Sequence, residues 1–356
     1  MAYLAEGAAC PPERIQRISD PASGLEGVIV VHSTRLGPAA GGCRLWDYPS
    51  ESAMIADAVR LAEGMSYKNA LAGLPFGGGK AALRLPSGQF DRKELFRAFG
   101  RAVERLRGDY VTAEDVGTNV ADMEEAGRFT RSVSGLTAKP GRPGGDPSPW
   151  TARGVFGAIE VASKFRFGRP LAGMRVAVQG VGSVGAELCR LLHFAGARLM
   201  VTDVDRAKVS AMVAAYGATA AEPGAIASAD VDVFAPCALG ASIDRQTVRR
   251  MRAGVICGAA NNQLASEADG ERLAKAGILY APDFLVNAGG IVSVAGEHLG
   301  WSESEVVRRV DAIPDRLRDL LQSAEATGAR PAFMAGQAAR SIIAAGAPVR
   351  SLEPAL

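Results

Sequence analysis

The sequence predicts an α/β protein of two domains, the second built on a doubly wound parallel sheet. Three observations predict it: strands and helices alternate through the second half of the 356-residue chain, a glycine-rich turn sits between one such strand and its helix, and the rhythm breaks at 138–149. Two domains also suit the length, at about 100–200 residues each. With 48% hydrophobic residues, both can bury a core.

Taken in order, residues 28–32 (Val-Ile-Val-Val-His) form an apolar run of strand length. Residues 51–64 have helical spacing, with Ala53, Ala56, Val59 and Leu61 among charges and Ser50 placed to cap. A short strand is expected at 81–85 after a glycine run, and an amphipathic helix at 91–106 capped by Asp91. The segment 138–149 packs glycine and proline too densely for an element and reads as the interdomain connection. Beyond it come a helix at 151–165, a strand at Arg175–Gln179, the glycine turn, a helix at 184–195 and a strand at 198–203. Strand cores follow near 231–235, 254–256 and 278–281, with helical patterns at 302–322 and in the alanine-rich 332–345.

The charge balance excludes several function classes. Lys+Arg at 40 against Asp+Glu at 38 give a net +2, so no global field draws the chain to nucleic acid or a membrane. Arg245, Arg249, Arg250 and Arg252 read as a solvated helix face. Five cysteines, odd in number and without a CxxC pair, suit reduced thiols in a cytoplasm. The start, Met-Ala-Tyr-Leu-Ala-Glu-Gly, lacks a signal-peptide pattern, and no run reaches about 18 apolar residues. His32, His193 and His298 are too far apart to suggest a histidine metal site.

The glycine turn is Gly180-Val181-Gly182-Ser183-Val184-Gly185. Its value lies in its context, directly after a strand and opening a helix. Gly180 permits the turn, Gly182 lets the backbone approach a pyrophosphate, and Gly185 lets helix and sheet pack closely. The helix N-terminus, at Ser183 and Val184, offers free N–H groups to the phosphates. Asp203 ends the next strand, eighteen residues after Gly185, where an acid accepts from ribose hydroxyls and repels a 2′-phosphate. That pattern favours NAD over NADP, although Arg206 nearby leaves the choice open. A glycine turn with a surface aspartate is the plainer alternative.

A second chemical signal is Gly64-Met65-Ser66-Tyr67-Lys68 running on to Gly77-Gly78-Gly79-Lys80. It is not a P-loop, because Leu74 occupies the required glycine position and Ala81 follows the lysine. Burying a lysine is costly, so two in an apolar stretch suggest a carboxylate anchor and a low-pKa amine; solvated surface charges are the alternative. A third element, Thr112-Ala113-Glu114-Asp115-Val116-Gly117-Thr118, places an acid among short residues, either as a helix cap or as a proton-transfer group.

Together these segments resemble the glutamate/leucine/phenylalanine/valine dehydrogenase superfamily. The likeness runs in order from Gly37-Pro38-Ala39-Ala40-Gly41-Gly42-Cys43-Arg44 through the lysine segment, 112–118 and Pro147-Ser148-Pro149-Trp150-Thr151. It continues through the dinucleotide fingerprint, Ala235-Pro236-Cys237-Ala238-Leu239-Gly240, Ala260-Asn261-Asn262-Gln263 and Ala281-Pro282-Asp283 to Asn287-Ala288-Gly289-Gly290. The resemblance implies an N-terminal substrate-binding and oligomerisation domain (1–148, with a C-terminal helix near 330–356 packing back on it). A Rossmann NAD-binding domain (149–329) would lie across a cleft from it. It also implies an enzyme that deaminates an amino acid to a 2-oxo acid and ammonium, working as a homo-oligomer in the cytoplasm.

Roles carry over residue by residue. Lys68 would hold the substrate carboxylate with N–H groups around Gly41 and Gly42. Lys80 would be the low-pKa catalytic lysine, depressed by Lys68 and the electropositive cleft, and Asp115 would exchange a proton with the amine. Asn261, Asn262 and Thr151 would position substrate and nicotinamide, with Asn287 beside them and Ala238 and Ala260 along the dinucleotide. Met65, Ala40 and Val294 would line the side-chain pocket.

The side chain accepted turns on Ala40. Leucine-specific members carry leucine there, so trimming the wall to alanine leads us to expect a larger, flat side chain, L-phenylalanine, with leucine or valine as the alternative. Ala40 packing against Leu74, Met65 or Val294 would remove that argument. A 2-hydroxy-acid dehydrogenase is disfavoured because neither His193 nor His298 has a suitable acid motif. A non-catalytic NAD sensor is disfavoured because Lys68, Lys80 and Asp115 are all present.

Overall fold

The computed structural model describes residues 11–138, 140–238 and 240–347. Cys10, Leu239 of the Ala235-to-Gly240 motif, the extreme N-terminus and the tail beyond 347 lie outside the described residues. The chain forms two compact units, Met1–Thr137 with Gln337–Leu356, and Ala138–Gly336.

The first unit is a six-stranded mixed sheet. Its strands are β1 (Arg14–Asp20), β2 (Leu25–Ser33), β3 (Ala39–Ala40), β4 (Cys43–Trp46), β5 (Gly77–Arg84) and β6 (Tyr110–Val111). They run in the order β1-β2-β5-β3-β6, with β4 also on β5. Strand alternation divides the side chains between two cores. Ile29, Val31, Ala81 and Leu83 pack with Leu95, Phe96 and Phe99 of helix α2 (Arg92–Glu104) and Met123 of α3 (Val120–Gly127). Val28, Val30 and Ala82 face the other way, onto Met54, Ile55, Ala58 and Val59 of α1 (Glu51–Leu71).

Two expectations for this unit change. Helix α1 starts at its Ser50 cap but runs on to Leu71, so Gly64, Met65 and Lys68 are helical. The helix absorbs Gly64 because its apolar face is already anchored on the sheet; an interior glycine costs only about 1 kcal/mol. The strand expected at 81–85 starts earlier, so that the glycine run 77–79 is the first part of β5. A Cβ on Gly78 would fall 2.1 Å from the Ser66 nitrogen, so glycine is what lets β5 lie against α1.

The second unit is the parallel, doubly wound sheet. Strands β7 (Arg175–Gln179), β8 (Arg198–Thr202), β9 (Thr219–Ala220), β10 (Val233–Pro236), β11 (Val255–Ile256) and β12 (Leu279–Tyr280) take the order β12-β11-β10-β7-β8-β9. All neighbours are parallel. The order reverses between β7 and β10, the point where such folds open a binding crevice. Helix α4 (Ser148–Phe167) precedes β7, α5 (Ser183–Phe194) joins β7 to β8, and α6 (Arg206–Tyr216) follows β8. Then come α7 (Arg245–Arg250), α8 (Glu267–Lys275), α9 (Asp283–Val286) and α10 (Gly289–Leu299). Helix α4 begins inside the proline-rich stretch because Pro149 falls in its first turn, where a missing N–H costs nothing.

The helical pattern at 302–322 resolves into α11 (Glu303–Asp311) and α12 (Ile313–Thr327), divided next to Pro314, which starts the second helix. In α13 (Pro331–Ala345), Ala332 packs in the second unit's core and Ala339 against Leu36 and Ala70 of the first. Among the described residues no helix is long and apolar enough to cross a membrane.

Candidate active site

The first unit gathers a chain of charged groups on the α1 side of its sheet. Lys80 lies on β5, its side chain only 3% exposed, with Nζ 3.0 Å from Oδ2 of Asp115. Asp115 is not a helix cap, since Asn119 caps α3. It sits on the turn after β6, where its N–H donates to the Thr118 hydroxyl (2.8 Å) and that hydroxyl donates to the Cys43 carbonyl (2.9 Å). Arg44 of β4 donates from Nε to the same Asp115 oxygen at 3.0 Å and from Nη1 to Oδ2 of Asp57 on α1 at 2.9 Å. The Tyr48 hydroxyl donates to that Asp57 oxygen at 2.8 Å.

These contacts set the protonation states. Burial pushes the Lys80 amine below its ordinary value; Asp115 pulls it back up, and Arg44 pushes it further down. Arg44 is thus a cation of the expected electropositive surroundings that acts on Lys80, and with burial it outweighs the pull of Asp115. Burial alone would raise the Asp115 carboxyl, but Lys80 and Arg44 outweigh it and hold it at about 2. Arg44 lies above its usual range, because Asp115 and Asp57 together exceed the burial that opposes its charge. At neutral pH Asp115 is thus an anion beside an amine that gives up its proton more easily than a surface lysine.

The expected substrate-side residues lie on α1 and on the β3–β4 segment beside β5. Lys68, 8% exposed, and half-buried Met65 lie one turn apart near the end of α1. Ala39 belongs to the core on the α2 face, so strand alternation turns Ala40, 2% exposed and paired with Gly78, toward the α1 face. The Gly41 N–H is already committed to the Val111 carbonyl at 3.1 Å, because β3–β6 pairing extends one residue past the strand. A Cβ on Gly42 would come within 2.8 Å of the Asp115 Cβ, so that glycine lets the acid's turn close in.

The second unit carries the dinucleotide fingerprint at the β7/β10 switch point. Gly180 has φ +92, and an added Cβ would meet Ala238 at 2.9 Å. At Gly185 a Cβ would fall 1.9 Å from the Gly180 carbonyl, so only glycine allows α5 to start that close to the turn. Gly182, the N-cap of α5, would meet nothing within 4 Å, which leaves open space over the first turn, beside exposed Ser183 and half-buried Val184. This is a cradle fitted to a phosphate. Asp203 accepts from Val181 N–H (2.8 Å) and Asp205 N–H (2.9 Å), so it also braces the turn.

Nearby, Asn287 is 3% exposed and donates to the Asn261 side chain (3.0 Å) and the Ala259 carbonyl (3.1 Å). Asn262 holds the left-handed conformation at φ +50, and Ala260 donates its N–H to Pro236 (2.9 Å). Thr151 on α4 stands where a Cβ on Gly290 would meet its Oγ1 at 2.6 Å; Val294 is buried on α10.

Sequence reasoning quoted Arg44 within a motif but assigned it no role, and it passed over Asp57 and Tyr48. One signal for Arg44 was available: it stands between Cys43 and Leu45, which the strand turns into the core. Asp57 and Tyr48 gave none, because their partners come from other elements.

A buried lysine–carboxylate pair on one unit and a dinucleotide fold on the other define a two-unit dehydrogenase. Residues 12–130 match the Glu/Leu/Phe/Val dehydrogenase dimerisation domain and 197–344 the Glutamate/Leucine/Phenylalanine/Valine dehydrogenase domain, and the chain belongs to this family. It is 45% identical to leucine dehydrogenase of Bacillus subtilis (strain 168), covering 91% of this chain and 88% of that one. It is 42% identical to valine dehydrogenase of Streptomyces coelicolor (strain ATCC BAA-471 / A3(2) / M145), over 94% and 93%. The crystal structure of L-tryptophan dehydrogenase from Nostoc punctiforme superposes with a TM-score of 0.77 at 38% identity, covering 94% of this chain and 96% of that one. The chain is an amino-acid dehydrogenase. These relatives support the branched-chain alternative better than the phenylalanine expectation.

Proposed function

We propose that the protein catalyses the reversible NAD-dependent oxidative deamination of a branched-chain L-amino acid, leucine or valine, to its 2-oxo acid, ammonium and NADH. The observation that carries the reaction is the buried Lys80–Asp115 pair at 3.0 Å. Lys68 anchors the substrate carboxylate, and Asp115, an anion at neutral pH, takes a proton from the substrate ammonium. NAD would be held along Gly180, Gly182, Ser183, Val184 and Gly185 with Asp203 at the ribose, and would supply the acceptor for the hydride that Cα loses. Loss of that hydride leaves an iminium on the substrate. Lys80, as free amine, takes a proton from the water that adds to the iminium carbon. Asp115 returns its proton to the carbinolamine nitrogen, and Lys80, once it has passed its own proton to solvent, takes the hydroxyl proton as the C–N bond breaks, ammonia leaves and the C–O bond becomes the carbonyl. Asn261, Asn262, Asn287 and Thr151 orient the reactants, while Ala238 and Ala260 flank the dinucleotide.

Leucine or valine is chosen because the enzymes named for them share 42–45% of their residues with this chain. One observation favours phenylalanine as a second reading: Ala40, buried and turned to the α1 face, is three carbons smaller than the leucine expected there in leucine-specific members. The protein is proposed to act as a homo-oligomer through the unit that matches the dimerisation domain. The test is a kcat/KM panel over leucine, valine, phenylalanine and tyrosine, with NAD and NADP compared, reading NADH absorbance. Leucine or valine should lead, with NAD preferred. A lead of phenylalanine by tenfold or more overturns the branched-chain reading, and no turnover with any amino acid overturns the reaction.

A further inference from the structure

We propose that Arg44 is a positioning residue of the reaction: it fixes Asp115 in one orientation, keeping Oδ1 for the substrate amine, and holds a positive charge against Lys80. The inference rests on the deamination reading and deepens it. Its basis is the distribution of contacts on one carboxylate. Lys80 Nζ and Arg44 Nε both reach Oδ2 of Asp115 at 3.0 Å, and Oδ1 takes no hydrogen bond from the described residues. A guanidinium is planar and cannot swing without losing its second contact, so its orientation passes to the acid. That second contact is Asp57 at 2.9 Å, itself fixed by the Tyr48 hydroxyl at 2.8 Å and by Arg60, 3.5 Å from the other oxygen. Arg44 and Asp57 are 16% and 18% exposed, so their charges are screened far less than surface ones.

The charged neighbours of Lys80 come from three elements: Asp115 after β6, Arg44 on β4 and Asp57 on α1. The Cys43 thiol of β4 is pushed well up by burial and stays neutral. On the same sheet face His32 of β2 is hydrogen-bonded to Ser66 at 2.7 Å, and Lys68 is buried in the last turn of α1. Arg44 disfavours the Lys80 proton, whereas Asp57 favours it. The two neighbours therefore act on Lys80 with opposite sign. If Arg44 and Asp57 served only to hold the fold, their removal would not shift it in opposite directions.

The experiment compares the parent with Arg44→Met and Asp57→Asn by two readouts. One is the pH profile of kcat/KM; the other is competitive acetylation of Lys80 by acetic anhydride, read by mass spectrometry across pH, which requires no turnover. With Arg44→Met, both midpoints should rise by about one pH unit. With Asp57→Asn both should fall. Arg44→Lys, which keeps the charge but cannot hold both acids, should leave the midpoint in place and lower kcat. Midpoints unmoved in both variants, or moved in the same direction, overturn the proposal. Should Arg44→Met fail to fold, a rise or no change in Asp57→Asn overturns it alone. Labelling shifts of these signs in the variants, with a parent that turns over no amino acid, sink the deamination reading and leave the Arg44–Lys80 coupling standing.

Discussion

Two alanine substitutions about 4.5 Å of helix rise apart should separate the folding role of the fingerprint from its binding role. At Gly185 the new methyl would lie 1.9 Å from the Gly180 carbonyl, a backbone atom that cannot move without dragging β7. Overpacking of this kind costs about 1–3 kcal/mol, and the loss should appear as a lowered Tm. Gly182 differs in both respects. Its φ of −68 suits any L-residue, and its Cβ would meet nothing within 4 Å. Gly182→Ala should therefore keep the parent Tm, or raise it slightly by removing freedom from the unfolded chain, worth about 0.4–1 kcal/mol. The space the methyl takes is the space a pyrophosphate would use. Losing one hydrogen bond to a charged group, about 1.5–3 kcal/mol, corresponds to roughly 10–150-fold weaker binding. Thermal denaturation and NADH fluorescence titration of both variants measure this. A Gly182→Ala protein that binds NADH as tightly as the parent would refute the cradle.

Other outcomes follow from the first unit. Lys80→Ala should abolish turnover, by at least 10²-fold in kcat/KM, while NADH titration remains as in the parent; unchanged turnover would return the chain to a nucleotide-binding role. Ala40→Leu should lower kcat/KM for phenylalanine more than for valine, by about tenfold for 1–3 kcal/mol of discrimination, and equal effects would remove Ala40 from the pocket. Asp115, held at about 2 against an ordinary 3.8, binds a proton less readily when folded. Its contribution to stability is therefore complete above pH 3.8 and disappears as pH falls toward 2. Lys80 gives a slope of the same sign in an alkaline window, because its lowered value costs stability while the amine is protonated and that cost fades as pH rises toward its unfolded value. Calorimetry from pH 2 to 6 should give a parent-minus-Asp115→Asn stability difference that shrinks at the acid end, and a flat difference would contradict the assignment.

What the sequence disclosed follows from how local each signal is. The Rossmann half was legible because each of its cues is contiguous: the alternation, the glycine turn, and an acid at the end of the next strand. Ser50 and Asp91 were legible as caps for the same reason, their partners being three residues or fewer away. The run 77–79 was left outside the strand expected at 81–85 because glycine has two opposite uses, freeing the backbone or admitting a neighbour, and only the neighbour tells them apart. Here Ser66 and Tyr110 are the neighbours, and both are distant in sequence. The same limit explains the charge cluster. Family likeness supplied Lys80 and Asp115 one at a time, but the group that orients one and repels the other is set by pairing. Cys43 lies against Ala81 in the β4–β5 register, which brings Arg44 beside Ala82, two residues along from Lys80. A shift of one residue in that register would turn Arg44 into the apolar core with Leu83 and Phe99 and take from Asp57 its contact with that guanidinium. The site's electrostatics are thus a property of strand register, and register is what a linear reading of apolar spacing leaves undetermined.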